Sequence, residues 1–563
     1  MKSHDLIIVG AGLSGMRAAL EGVRANIDVA IVTKIHPLRS HSCAAQGGIN
    51  AAVDPRDSWE SHAFDTVKGS DYIGDEDAIQ IMAREAPIVV LEMDRMGTPF
   101  SRVEDGGIAQ RAFGGANFDR TCYSADRTGQ VLLHTLWEQL VKSKVPVYEE
   151  CSVQKLVVDG AGHVAGVVAL DIKSGEVFGI RGKGVLIATG GYGRVYASTT
   201  NATTNTGDGM AIALRAGAPL GDMEFVQFHP TGLRTSGILV TEGARGEGGY
   251  LINKDGKRFM DKYAPTKKEL ASRDVVSRAE QTEILEGRGV NGAIFLDLRH
   301  LGRQKIIERL PQIRELAIDL EGVDPIDNPI PVRPTNHYSM GGIRTDKLGF
   351  SPLKGLFAAG EAACVSVHGA NRLGGNSLLD TIVFGKVTGA AASKYVQDQK
   401  LPEFPQGAVK EVEDMIGELL RRPDTGVKPA AVQEELSNAL NSYVSVFRTA
   451  EIMQKAAEVI PVVRAKFKKI SLQDTSRQFN IELVRAIELG HLIDLAESIV
   501  KGALARTESR GAHFRNDFPK RDDANWRKHT LAHWDPKKEE VVLSYEPVRT
   551  LGIPEYEPKE RVY

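Results

Sequence analysis

Leu6-Ile7-Ile8-Val9-Gly10-Ala11-Gly12-Leu13-Ser14-Gly15 is the stretch that decides the fold. Four apolar residues run into a Gly-x-Gly-x-x-Gly turn, and Met16-Arg17-Ala18-Ala19-Leu20 continues from it as a helix. A second apolar run, Val29-Ala30-Ile31-Val32-Thr33, closes a unit of about 30 residues, the span of a strand–helix–strand crossover that binds a dinucleotide. In such a unit Gly10 permits the tight turn and Gly12 lets backbone approach a pyrophosphate. Gly15 lets helix and strand pack closely, and the helix N-terminus faces the phosphates. One feature departs from the pattern. The second strand ends in Thr33-Lys34, so the usual carboxylate for a ribose hydroxyl is missing or replaced.

The chain has 563 residues and a net charge of −3, enough for several domains and without the basic stripe that nucleic acid or an anionic membrane would need. Its four cysteines, Cys43, Cys122, Cys151 and Cys364, include no C-x-x-C pair. That argues against an iron–sulfur cluster, a structural zinc or a disulfide framework within the chain, and for a reducing compartment. The first strand begins too early to leave room for a signal peptide. No apolar run approaches the roughly 20 residues that span a bilayer. Membrane association is therefore expected only through a partner.

Outward from the glycine turn, the next unusual stretch is Arg39-Ser40-His41-Ser42-Cys43-Ala44-Ala45-Gln46-Gly47-Gly48. It sets a histidine between two serines, then small residues. A solvated loop histidine is one reading. A covalent bond from His41 to a flavin lying along Ala44 to Gly48 is the other. Cys43 reads as packing.

Further along, residues 75–97 and 131–142 read as helices. Strand-like runs near Val153–Val158 and Val164–Leu170 are expected to form an inserted sheet. Val185-Leu186-Ile187-Ala188-Thr189-Gly190-Gly191 reads as a buried strand ending in small residues, and Asp208 either caps the following helix or holds a ligand hydroxyl. Mixed strands, charged helices and proline-rich loops then suggest a lid, after which Gly355-Leu356-Phe357-Ala358-Ala359-Gly360-Glu361 restores the first texture. From 408 to 510 the spacing is helical, with Pro461 expected to separate two helices of an antiparallel bundle that props the first domain. The predicted class is thus α/β: a Rossmann-like FAD-binding domain (1–234 and 341–407) with a capping domain inserted (235–340), a helical domain (408–510) and a C-terminal domain (511–563).

Five stretches set polar residues among glycines: Gln227 to Gly232, Thr241 to Glu247, Ser272 to Asp274, Asn336 to Gly342 and His368 to Ser377. Each alone has an ordinary structural reading. Taken in order, with His41, the glycine turn and the tail stretches Glu508 to Arg515 and Arg521 to Trp526, they resemble the flavoprotein subunit of succinate dehydrogenases and fumarate reductases almost end to end. The resemblance implies that His41 is joined through a ring nitrogen to the 8α-carbon of FAD. It implies that Gly10, Ala11, Gly12, Leu13, Ser14, Gly15, Thr33, Lys34, Ser40, Ser42, Ala45, Gln46, Gly47, Gly48, Asp208, Glu361, Ser377 and Leu378 line that cofactor. His229, Thr241, His337 and Arg372 would hold the two carboxylates of a C4 dicarboxylate. Arg273 would transfer the proton, re-supplied through Glu242 or Arg245.

The chemistry suits those residue types. A dicarboxylate needs cations and hydroxyl donors at both ends, and Arg372 can bind one carboxylate bidentately. The resemblance further implies an iron–sulfur subunit, a membrane anchor with quinone, and a place on the cytoplasmic face of a bacterial or archaeal membrane. Direction would be set by quinone and cluster potentials, outside this chain. L-aspartate oxidase shares several of these motifs but binds its FAD non-covalently and lacks the tethering histidine. A non-catalytic flavin carrier would not need Arg273, His229, His337 and Arg372 together.

Overall fold

The computed structural model describes residues 1–561. Its main sheet has seven strands built around Lys2–Val9, which lies parallel between Val29–Thr33 and Val177–Ile187. Val147–Glu149 extends one side and Leu356–Ala358 pairs with the end of Val177–Ile187, both parallel. Alternation along the first strand supplies both cores. Leu6 and Ile8 face one buried cluster with the helices Leu13–Arg24 and Asn376–Gln397, while Ile7 and Val9 face the other.

Two strands read as a separate insertion belong to this sheet. Cys151–Val158 and Val164–Asp171 continue it antiparallel from Val177–Ile187. The last strand is 11 residues long and starts eight residues before the apolar run that marks it in the sequence. The tight turn at Asp171 to Glu176, with Gly175 at φ 77°, joins Val164–Asp171 to Val177–Ile187 as a hairpin.

A four-stranded antiparallel sheet, Val226–Leu233, Ile330–Ser339, Ile294–Asp297 and Tyr250–Ile252, forms the cap with helices Arg273–Leu285 and Pro311–Glu321. It has its own apolar core from Leu233 to Val332. The cap sheet begins at Val226, earlier than the change of texture near residue 235. Its first strand shifts register between His229 and Gly232, where Pro230 cannot donate to the ladder.

Four helices, Ala408–Arg421, Pro429–Tyr443, Ala450–Phe467 and Ile481–Ala505, follow. Pro461 lies inside the third rather than between two helices. Its ring is exposed, and the buried Ile460 and Val463 hold the helix on both sides, so packing outweighs the lost hydrogen bond. The tail hairpin Lys528–Asp535 and Glu540–Pro547 does not stand alone. It completes a five-stranded sheet with Leu220–Gly221, Gly342–Arg344 and Ala363–Cys364. Buried ion pairs of Arg506 with Glu224 (2.8 Å) and of His529 with Asp222 (2.6 Å) fasten it there.

The glycine turn has no slack. A Cβ on Gly15 would lie 2.0 Å from the Gly10 carbonyl oxygen, and one on Gly10, at φ 107°, would lie 2.3 Å from the Ala188 oxygen. Gly15→Ala is expected to cost at least about 2 kcal/mol and to lose flavin, read by urea unfolding and flavin content. Wild-type values for both would contradict this account of the turn.

Candidate active site

The helix Leu13–Arg24 starts at the carboxyl end of the interior strand Lys2–Val9, with Gly12 as an N-cap that makes no side-chain bond. Apart from a long contact from the Leu13 N–H to Ser42 Oγ (3.4 Å), its first N–H groups are left to meet an anion. They open on a cavity of about 550 Å³. Gly10, Ala11, Gly12, Leu13, Ser14, Thr33, Lys34, Ser40, His41, Ser42, Ala45, Gln46, Asp208, Glu361, Ser377 and Leu378 line it, together with His337 and, from the cap, Ser236, Ile238, Leu239, Gln312 and Leu316.

Three predicted residues stand behind the wall. Gly15 packs against Gly10. Gly47 and Gly48 are also held small by the protein behind the loop. A Cβ on Gly47 would meet the Phe113 ring at 2.9 Å, and one on Gly48, at φ 142°, the Cys122 oxygen at 2.6 Å. The protein behind the loop demands these glycines. Cys43 is half-buried, and burial pushes its thiol up.

Lys34 answers the missing ribose carboxylate. Its Nζ donates to Asp208 Oδ2 (2.6 Å), Thr206 Oγ1 (3.0 Å) and Glu488 Oε1, while His491 bonds Asp208 Oδ1 (3.1 Å). Asp208 does not cap its helix; Gly207 does, without a side-chain bond. Burial opposes charge on Lys34, but Asp208 and Glu488 hold it protonated, well above its ordinary value. Glu488 and His491 come from the helix Ile481–Ala505, read in the sequence as bundle alone.

His41 faces the cavity with Nδ1 accepting from the Ala202 N–H (3.3 Å). Burial draws it down to about 4, so it is neutral near pH 7 with its other ring nitrogen, Nε2, toward other partners.

At the seam with the cap seven predicted residues converge. The rings of His229 and His337 are 4.9 Å apart. The register shift after His229 turns its Nδ1 onto the Thr231 N–H (3.1 Å), which leaves Nε2 buried and without a partner. The His337 Nδ1 pairs with Thr200 Oγ1 (2.8 Å). Burial, reinforced by the charge of Arg273, holds both rings neutral, well below the usual range. Thr241 caps the short helix Glu242–Gly246 by accepting from the Gly243 N–H (3.1 Å).

Arg273 opens the helix Arg273–Leu285 and donates from Nε to Glu242 (2.7 Å) and from Nη1 to Gln227 Oε1 (3.1 Å). Arg245 stands 4.0 Å behind Glu242. Arg372 stacks its guanidinium 4.2 Å over the Tyr338 ring, and its Nε and Nη2 are buried without partners. Burial and then the charge of Arg273 pull it down to about 9. Among the described residues, Glu242 pairs with Arg273 and Arg245, and no carboxylate forms an ion pair with Arg372. The cluster is therefore two positive charges in excess, the charge of a dicarboxylate dianion.

Sequence reasoning left Gln227 and Tyr338 unassigned, although both lie in the glycine-rich stretches. Gln227 ties Arg273 to Arg372, donating to the Arg372 carbonyl oxygen (2.7 Å). No group of three or more His, Cys, Asp or Glu side chains that could hold a metal is present among the described residues. No helix among them is long and apolar enough to cross a membrane.

A dinucleotide cavity roofed by a cap, with buried cations at the seam between the two, defines an FAD-dependent oxidoreductase. Residues 5–378 match the FAD binding domain family, and residues 433–563 match the fumarate reductase flavoprotein C-terminal family. The succinate dehydrogenase flavoprotein subunit of Rickettsia conorii is 46% identical over 590 residues, covering 99% of this chain and 98% of its own. The fumarate reductase flavoprotein subunit of Mycobacterium tuberculosis is 44% identical over 582 residues, covering 100% and 99%. Among solved structures, a variant of E. coli quinol fumarate reductase FrdA superposes with a TM-score of 0.96 at 41% identity, covering 100% of this chain and 99% of its own. The chain belongs to the succinate dehydrogenase and fumarate reductase flavoprotein family.

Glu361 faces the cavity and accepts from the Ser339 N–H (3.0 Å), but burial pushes its carboxyl up to about 7. Between the ordinary value of 4.5 and about 7 the folded chain keeps a proton that the unfolded chain has released. Stability of the FAD-free chain should therefore fall as pH rises through that window. Glu361→Gln should flatten this part of the profile, read by urea midpoints. An unchanged slope would contradict it.

Proposed function

We propose that this chain interconverts succinate and fumarate on a covalently held FAD, exchanging electrons with membrane quinone through an iron–sulfur subunit and a membrane anchor at the cytoplasmic face. The observation that supports it best is the buried, doubly positive cluster of Arg273, Arg245 and Arg372, which meets the FAD cavity at His337. Charge excess of this kind is costly without an anion, and a dicarboxylate supplies two negative charges.

The residues fit the cofactor. Helix N–H groups would meet its pyrophosphate, the Leu13 N–H giving up its long contact to Ser42 Oγ (3.4 Å), and Lys34 with Asp208 stands at the end of the second strand. FAD supplies hydride transfer between its N5 and a central carbon of the substrate. With Nδ1 engaged by the Ala202 N–H, Nε2 is the His41 nitrogen available for a bond to the 8α-carbon. That bond raises flavin potential in this family, which suits a weak reductant such as succinate.

Arg372 and His337 would grip one carboxylate, with the two unpartnered nitrogens of Arg372 as a bidentate fork. His229, a neutral Nε2–H donor in this tautomer, and Thr241 would grip the other. Arg273 would move the proton at the second central carbon. Burial lowers its pKa, making it a better acid than a solvated guanidinium. Glu242 stays ionised despite burial because Arg273 and Arg245 hold it so, and it can return a proton to Arg273 across 2.7 Å. Arg245 stands next in line.

Arg273→Ala is expected to keep flavin and to lower succinate-dependent dye reduction by about 10² to 10⁴-fold. On the same preparation, acid denaturation followed by a gel should leave yellow fluorescence on the protein band, and His41→Ala should release it. Normal turnover without Arg273 sinks the proton role; fluorescence that washes away completely sinks the tether.

A further inference from the structure

One buried carboxyl in the cap has no task in this scheme. Glu280 lies on the helix Arg273–Leu285 seven residues after Arg273, two turns on and on the same face. It is 0% exposed, and neither carboxyl oxygen has a hydrogen-bond partner. Its neighbour in sequence, Glu283, differs. That carboxylate accepts from Asn253 (3.0 Å), Tyr263 (2.8 Å) and Arg288. Arg245 is equally buried, and its Nε and Nη2 also have no partner. Two orphaned groups of opposite polarity thus border one apolar cluster, to which their sequence neighbours Ala244 and Ala279 both belong.

Burying an unpartnered carboxyl costs stability, and an apolar side chain of similar length would avoid that cost. Desolvation keeps Glu280 protonated well above the usual carboxylate range, and Arg245 is the charged group that opposes it. Two other acids nearby are engaged elsewhere: Glu269 with Arg258 and Glu283 with Arg288.

We infer that Glu280 is the proton reservoir behind Arg245, the fourth member of the route Arg273–Glu242–Arg245. The inference rests on that route as proposed above. In the direction of fumarate reduction, Arg245 gives a proton to Glu242 and is left neutral. The Glu280 carboxyl, which has no contact to Arg245 within 4.0 Å, then gives its proton to the guanidine through a bridging water and becomes a carboxylate. No electrons move. Solvent returns the proton to Glu280, so each turnover carries one proton from solvent to the substrate carbon. The transfer runs downhill, because a neutral guanidine is far more basic than a carboxylate and the products are an ion pair in a dry core. In succinate oxidation the same steps run backward and Glu280 receives the proton.

The test uses the holoenzyme with reduced viologen as electron donor and fumarate as acceptor. Glu280→Gln keeps shape but cannot carry the proton, and Glu280→Met removes both orphaned oxygens. Both should lower kcat by about tenfold with the KM for fumarate within about twofold, and should raise the solvent deuterium isotope effect on kcat. Glu280→Met should also raise Tm, so function and stability move in opposite directions. Arg245→Met is run alongside. If both Glu280 variants keep wild-type kcat and isotope effect while Arg245→Met is slow, the reservoir is wrong and the route stands. If Arg245→Met is also as fast as wild type, the route itself is wrong. If both Glu280 variants lose flavin or fold, the residue is structural and the inference falls.

Discussion

The carboxylate of Glu242 is the contact on which the site depends. It is 1% exposed and accepts from the Gly114 N–H at 2.6 Å and from Arg273 Nε at 2.7 Å, with Arg245 at 4.0 Å. Gly114 belongs to the first part of the chain, whereas Arg273 and Arg245 belong to the cap. One anion therefore fixes the cap against the cofactor side. Room for it is limited: a Cβ on Gly374 would lie 2.5 Å from Glu242 Oε2. The glycines beside Arg372 serve this carboxylate as much as any ligand. Removing it would leave two buried guanidiniums facing each other without their counter-ion, a loss of the kind that costs about 3–5 kcal/mol.

The same pairing leaves the cluster unbalanced on purpose. Gln227 holds Arg273 with a neutral oxygen rather than a second carboxylate, and Tyr338 supports Arg372 with a ring face. Burial keeps His229 and His337 neutral, so they add hydrogen bonds without adding charge. Positive charge remains for an incoming dianion, and the low dielectric makes each contact to it strong. On the cofactor side the logic is similar. Lys34 stands between Asp208 and Glu488, so that a buried cation at the end of the second strand is matched by carboxylates of the protein itself.

Much of this was legible in the residues. The glycine turn, the returning strand at Leu356, the cap and the helical segment follow from apolar periodicity and glycine spacing. The polar stretches named the residues that the fold brings together at the cap. What was not legible depends on long-range pairing. The hairpin Cys151–Asp171 reads as an insertion because nothing local says that it adds to the edge of Val177–Ile187. The tail hairpin joins a sheet whose other strands lie far earlier in the chain, at Leu220–Gly221, Gly342–Arg344 and Ala363–Cys364. Pro461 ends a helix by local rules, but packing of Ile460 and Val463 carries the helix through it. Glu488 and His491 are hidden because a helix that is apolar almost all round gives no sign of which polar residues meet a site. The packing of Phe113 and Cys122 behind Gly47 and Gly48 is hidden in the same way, because those contacts are long-range.

The central claim is that the cap cations form one site for a dianion beside the flavin. Titration of the oxidised holoenzyme with malonate, a dicarboxylate that cannot react, tests it most directly, with propionate as the single-charge control. The account predicts a perturbed flavin absorbance spectrum, competition with succinate, and malonate binding at least about tenfold tighter than propionate, since one end of the clamp goes unused by the control. Equal affinity for the two acids, or malonate binding that leaves the flavin spectrum and succinate turnover untouched, would contradict it.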